Sequence, residues 1–172
     1  SAGACVMDYE TGEVLYELGG YTPRVPASMT KIMTLYCVYE ALENGEIALN
    51  TRVTISNNVY YKSRNKLYQN MIALNPGTVY TVDEIMGIVI TYSASAATVA
   101  LAELVGGGSE AAFVSRMNAT AQRMGVNARF YDSCGVADNQ VTPVSMATIA
   151  RNTIMRFPDI ITRASKKSVT FK

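Results

Sequence analysis

Arg24-Val25-Pro26-Ala27-Ser28-Met29-Thr30-Lys31-Ile32-Met33-Thr34 is the stretch on which the reading of this chain turns. Ahead of it, Pro23 and Pro26 stiffen a loop. From Ser28 the pattern changes. Ile32, Leu35, Tyr36, Tyr39 and Leu42 recur at helical spacing, and Asn44-Gly45 ends the run as a helix C-cap does. The spacing predicts a helix opening at Ser28. On its first turn Ser28 and Lys31, three residues apart, share one face, so the amine can reach the hydroxyl. A serine at a helix start also sits among N–H groups that lack intrahelical partners. Those donors and the positive end of the helix favour a developing oxyanion.

A lysine at its ordinary pKa of about 10.4 is a poor base. Burial disfavours the charged form and lowers that value. Val25-Pro26-Ala27 before the pair and Ile32, Met33 and Leu35 after it provide an apolar setting. A neutral Lys31 there can take the Ser28 proton. Spacing alone favours a capping serine and an exposed lysine. Ser63-Arg64-Asn65-Lys66 repeats the spacing among Tyr, Lys, Arg and Asn, with no apolar helix to bury its lysine, and is read as an exposed polar segment.

Composition narrows the chemistry. The 172 residues fit one domain, and 49% hydrophobic content is enough for a core. Fifteen basic against fourteen acidic residues leave a charge of +1 with no basic stripe, so nucleic acid is not an expected partner. Histidine is absent, which removes Ser-His-Asp and Cys-His catalysis and His-based zinc sites. Three scattered cysteines, Cys5, Cys37 and Cys134, make neither a four-thiolate site nor a disulfide framework; Cys37 reads as a buried thiol. No metal or organic cofactor is expected. The first residues carry no signal-peptide pattern. Residues 85–102 are uncharged and reach the roughly 18 residues of a membrane span. Tyr92, Ser93, Ser95 and Thr98 interrupt that stretch, which reads instead as two buried helices meeting at a polar corner.

Along the chain, residues 4–8 and 13–18 form a hairpin across Tyr9-Glu10-Thr11-Gly12. Residues 52–55 read as a short strand, and 57–70 fit no element. Thr81 with Glu84 is a capping box, opening a helix to about Thr91. A second helix runs from about Ser95 to Val105 and ends at Gly106-Gly107-Gly108, glycines that follow a helix and so do not form a phosphate cradle. Ser109 caps a further helix ending at Gly125, Thr142-Pro143 opens the last helix, and 167–171 reads as a strand. The order predicts an α+β fold with the termini sharing one sheet.

The segment 24–34 strongly resembles the active-site segment of low-molecular-weight penicillin-binding proteins, the serine D-Ala-D-Ala carboxypeptidases, whose Ser-x-x-Lys motif falls on Ser28 and Lys31. Met7-Asp8 through Thr11-Gly12-Glu13-Val14-Leu15-Tyr16 is similar to the family's first hairpin. Ala100-Leu101-Ala102-Glu103, Phe113-Val114, Met117-Asn118, Gly125 and Cys134-Gly135-Val136 follow in order. The resemblance implies an antiparallel sheet with helices on its faces plus a helical subdomain, as in serine β-lactamases and DD-peptidases. It makes residues 1–172 a single, incomplete catalytic domain lacking its C-terminal strands.

The family's second motif, Ser-x-Asn followed by Asp-Ala, meets Ser93-Ala94-Ser95-Ala96-Ala97 here. Ser93 carries over; by resemblance it relays a proton to the leaving amine. Ser95 stands where the family has the Asn that contacts lysine and a substrate carbonyl, and it is the weaker, substrate-binding candidate. Helix-end capping is the plain alternative for both serines. The third motif, Lys-Thr-Gly, is absent; Lys167-Ser168-Val169 is its nearest imitation and reads as plain strand.

The resemblance implies hydrolysis of the terminal D-Ala-D-Ala bond of peptidoglycan stem peptides through an acyl-enzyme on Ser28, with β-lactams as inhibitors. It also implies an extracytoplasmic location, and a membrane anchor, where present, outside this chain. The alternatives are a wall-peptide or β-lactam binding homologue without turnover, marked by the loss of the Asn-Asp pair, and a serine β-lactamase.

Overall fold

The computed structural model describes residues 2–68, 72–166 and 169. The opening hairpin pairs β1 (Ala4–Met7) with β2 (Val14–Leu18), Val6 opposite Tyr16, with a bulge between Val6 and Met7. Asp8 organises its turn by accepting the Thr11 N–H at 2.9 Å. After β2 the chain doubles back, and Arg24 exchanges two backbone hydrogen bonds with Val141, at 3.0 and 2.9 Å. That bridge anchors the loop four residues before Ser28.

Next comes one 3₁₀ turn, Ala27–Met29, running directly into α1 (Thr30–Glu43). The spacing of Ile32, Leu35, Tyr36, Tyr39 and Leu42 predicts a helix here. In the structure 11 of the 14 residues of α1 are buried, including Thr30, Lys31, Thr34 and Glu40. A helix buried on nearly all sides is the centre of the core, and α1 packs against the helices here named α4 (Ser95–Val105), α5 (Glu110–Met124) and α6 (Pro143–Arg156). Its polar members are satisfied individually: Glu40 accepts from Arg123 at 3.1 Å and Arg156 at 2.8 Å.

Around α1 the expected elements are in place. β3 (Arg52–Thr54) pairs with β4 (Val79–Thr81). Thr81 then caps α3 (Val82–Tyr92) through both bonds of a capping box, 3.1 Å to the Glu84 N–H and 3.0 Å back from the Glu84 carboxylate. The uncharged stretch 85–102 is broken at Ser93-Ala94 into α3 and α4, which pack together. Among the described residues no single helix is long and apolar enough to cross a membrane. Ser109 caps α5 by accepting from Ala112 at 3.1 Å, and Gly125 closes it in the left-handed conformation. Thr142 caps α6.

The structure corrects three points. The polar stretch after residue 56 contains a short helix, α2 (Asn57–Lys62), capped by Ser56 and pinned by the buried Val59. A two-stranded ribbon, β5 (Ala128–Arg129) with β6 (Gln140–Val141), precedes α6. And α6 is not the last helix, because α7 (Asp159–Ala164) follows the break at Phe157-Pro158. Among the described residues the strands form three separate antiparallel pairs, with α6 packed on the β1–β2 hairpin. The strand expected at 167–171, and the terminal sheet it was to complete, lie outside the described residues apart from Val169.

Candidate active site

The 3₁₀ turn gives Ser28 and Lys31 their relation. From Ser28 onward the backbone is continuously right-handed helical, so residues three apart share one face, with about 5–6 Å between their Cβ atoms. The two side chains have opposite environments. Ser28 is exposed, whereas Lys31 is only 4% exposed. The residue that turns the chain into this helix is Ala27, with φ 50°, a left-handed backbone that non-glycine residues adopt at a cost. Such strain is held by its surroundings and clusters at functional sites.

Those surroundings are a turn a hundred residues downstream. The Lys31 Nζ donates to the Cys134 carbonyl oxygen at 3.2 Å. The next residue, Gly135, lies so close to the nucleophile's backbone that a Cβ there would sit 3.1 Å from the Ser28 nitrogen and overlap the Ala27 carbonyl. One turn thus touches both members of the pair. Burial pushes the Lys31 pKa below the ordinary lysine value, while Cys134 and the Asp132 carboxylate act in the opposite direction. The amine's direct partner is a neutral carbonyl, which can accept from an uncharged amine and brings no formal negative charge to it.

Ser93 closes α3 in the left-handed conformation, φ 54° and ψ 41°, and is half-buried. Ser95 is the first residue of α4 and is 5% exposed. Because α4 packs against α1, the corner that carries both serines belongs to the same helical body as Ser28. Neither serine is the hydrogen-bond partner of the Lys31 amine among the described residues; the Cys134 carbonyl is.

The second Ser-x-x-Lys falls differently from its expected reading. Ser63 is buried, as the C-cap of α2, and its hydroxyl donates to the Tyr60 carbonyl at 2.7 Å and accepts the Leu74 N–H at 3.2 Å. Arg64, Asn65 and Lys66 are exposed, as expected. The helix ends at this serine, so the spacing does not bring Lys66 onto its face. Cys37 is fully buried as read, and its thiol is pushed up to about 11.

A family model of D-alanyl-D-alanine carboxypeptidases matches residues 1–172. The chain belongs to this family. DacF, a D-alanyl-D-alanine carboxypeptidase of Bacillus subtilis, is 34% identical over 136 residues, 78% of this chain and 33% of DacF. The DacA carboxypeptidase of Haemophilus influenzae is 35% identical over 169 residues, 96% of this chain and 42% of DacA. Among solved structures, penicillin binding protein 5 of Haemophilus influenzae matches with a TM-score of 0.91 at 32% identity, over 98% of this chain and 49% of that one. PBP3 of Streptococcus pneumoniae, described as a peptidoglycan synthesis regulatory factor, also gives 0.91, at 33% identity over 98% and 54%. These matches bear out the α+β DD-peptidase fold. The chain spans well under half the length of these curated carboxypeptidases and about half of these solved chains.

Sequence reasoning about the D-alanyl-D-alanine carboxypeptidase family named Ser28, Lys31, Ser93 and Ser95. It missed what holds the first two, namely the Cys134 carbonyl on Lys31 and the close approach of Gly135 to Ser28. Cys134-Gly135-Val136 had been noted as a matching turn, but a backbone carbonyl carries no side-chain signature, and its partner lies 103 positions away.

Proposed function

We propose that the protein carrying this chain is a serine D-alanyl-D-alanine carboxypeptidase of the bacterial cell envelope, acting on peptidoglycan stem peptides that end in D-Ala-D-Ala. One observation carries the reading. A buried, desolvated amine sits one helical turn from an exposed serine hydroxyl, with both held against one turn. In a chain without histidine, this is the pairing that supplies a nucleophile with a base.

In this mechanism the Ser28 Oγ attacks the carbonyl carbon of the penultimate D-Ala, and its proton passes to the neutral Lys31 Nζ. The positive end of the helix stabilises the developing oxyanion. The tetrahedral adduct collapses with cleavage of the C–N bond. The departing D-Ala nitrogen receives the proton from Lys31, relayed by the Ser93 hydroxyl. A water molecule then adds to the ester, giving its proton to Lys31, and the Ser28 oxygen leaves and recovers that proton. Ser95, standing where the family pattern has its Asn, is the weaker, substrate-binding candidate. β-Lactams acylate the same Ser28. Membership of the carboxypeptidase family supports this substrate class, and the substrate implies a location outside the cytoplasm.

A second reading has its own observation. Ser95 and Ala96 replace the Asn and Asp of the family pattern, which fits a homologue that holds wall peptide or β-lactam without turnover. A peptide ending in D-Ala-D-Ala separates the two. The carboxypeptidase reading expects D-Ala release by the intact protein, abolished in Lys31→Ala. Binding of the peptide without D-Ala release establishes the second reading instead.

A further inference from the structure

The turn that touches Ser28 and Lys31 is built from two side chains that no motif singles out. Asp132 is the hub of residues 132–137. Its Oδ1 accepts from the Gly135 N–H at 3.0 Å and from Asn139 Nδ2 at 2.8 Å. Its Oδ2 accepts from the Val136 and Ala137 N–H groups at 2.8 and 2.9 Å, with the Cys134 Sγ 3.6 Å away. Asn139 is fully buried and uses all of its amide. Its oxygen accepts from the Tyr131 and Asp132 N–H groups at 2.7 and 3.3 Å, and its nitrogen donates to Asp132 and, at 3.0 Å, to Thr30 Oγ1. Thr30, also fully buried, stands between Ser28 and Lys31 in the chain. One turn further along α1, Thr34 Oγ1 donates to the Ser133 carbonyl at 2.5 Å. The turn is therefore tied to α1 through Thr30, Lys31 and Thr34.

We propose that Asp132 and Asn139 are positioning residues for the Ser28–Lys31 pair, clasping the 132–137 turn to the start of α1 so that the Cys134 carbonyl fixes the amine. The proposal rests on the catalytic reading above. The residue types suit the task. A carboxylate only accepts, and four N–H groups converge on this one. An amide both donates and accepts; an aspartate at 139 loses the donation to Thr30, and a serine is too short to bridge Asp132 and Thr30. The arrangement also solves an electrostatic difficulty. A carboxylate paired directly with Lys31 holds the amine charged. Here the Asp132 oxygens point into backbone and amide donors, and what the turn offers the lysine is a carbonyl.

Few other charges act on the amine. Within the turn this is the Asp132 carboxylate; burial pushes the neighbouring Cys134 thiol up to about 12. From α5, Glu110 is engaged by the Ser133 hydroxyl at 2.6 Å and lies 4.0 Å from Lys62. Arg123 of α5 and Arg156 of α6 bind Glu40, far along α1. The one charged residue of α4, Glu103, accepts from Ser56 and Asn58.

The test is Thr30→Val in the intact protein, which keeps the shape and removes the acceptor for Asn139, with Thr30→Ser as the rescue. Two quantities are followed across pH: acetylation of the Lys31 amine by acetic anhydride, read on its peptide by mass spectrometry, and acylation of Ser28 by a fluorescent penicillin. In Thr30→Val the clasp opens and water reaches the amine. The Lys31 labelling midpoint rises toward the ordinary lysine value, the acid limb of acylation moves to higher pH, and acylation at neutral pH slows about tenfold or more. Thr30→Ser restores both. Asn139→Ser, read the same way, gives the same shift as Thr30→Val. A lowered melting temperature with Lys31 labelling and the pH profile unmoved assigns the clasp to stability alone and overturns the proposal. An unacylated wild type overturns the catalytic reading instead, because the labelling comparison needs no acylation.

Discussion

Gly135 and Ala27 face each other with backbone to backbone: both have positive φ, 94° and 50°, and a methyl on Gly135 would overlap the Ala27 carbonyl oxygen. The contact joins the strained residue that starts the nucleophile turn to the turn that holds the base. Gly135→Ala meets two obstacles, a left-handed backbone and a backbone neighbour that cannot swing aside. The variant should lose about 2–3 kcal/mol of stability by denaturant unfolding. Its penicillin acylation rate should fall about 100-fold, the scale of an ångström's misplacement at a reacting pair.

Lys31 gives a pH dependence whose sign is fixed. Its pKa is lowered in the folded protein, first by desolvation, so between the folded value and the ordinary lysine value the unfolded chain binds more protons. Stability therefore rises with pH across that window. Below it, both states carry the charged amine and the full cost of burying it is felt. Lys31→Met should stabilise the fold most at low pH, and the gain should shrink as pH rises through the folded pKa toward the ordinary value. Urea titrations of the two proteins across pH check this. A gain that grows with pH contradicts it.

Ser93 is also in the left-handed region, at the C-cap of α3. Ser93→Gly relieves that backbone cost of about 1 kcal/mol, partly offset by the freer unfolded chain, for a net gain of about 0.5 kcal/mol. The hydroxyl is lost with it. D-Ala release should drop about 100-fold, the low end of a general acid–base contribution, while thermal stability rises slightly. Stability and turnover moving together in this variant argues against the relay.

Thr81→Ala removes one half of the capping box at the start of α3. Chemical unfolding should show a loss of about 1 kcal/mol. Penicillin acylation of folded protein should be unchanged, since the cap lies at the far end of α3 from Ser93.

Much of this architecture was legible because its signals are local. The capping box of Thr81 and Glu84, the caps Ser109 and Thr142, and the stops at Asn44 and Gly125 each act within four residues, and α1, α3, α5 and α6 fell where those residues put them. Ser28 and Lys31 are local as well, one helical turn apart. What escaped notice depends on distant partners or short length. α2 has six residues and one buried side chain, too few to show a period. β5 and β6 have two residues each and exist through each other. The hydrophobic spacing of α1 marked it as a helix, but its burial on nearly all sides comes from α4, α5 and α6 together. Asp132 and Asn139 look like ordinary turn formers in sequence; only the contact of Asn139 with Thr30, 109 positions away, reveals what they hold. Ala27 carries no sign of its left-handed backbone, because the cause is the turn around Gly135.

The central claim is that the buried Lys31 amine activates Ser28. It is tested most directly by exposing the intact protein to benzylpenicillin at neutral pH and locating the adduct by peptide mass spectrometry. The account predicts one penicilloyl group on the peptide containing Ser28 in the wild type, none in Ser28→Ala, and a rate reduced about 100-fold or more in Lys31→Ala. Acylation of Lys31→Ala at the wild-type rate would contradict it.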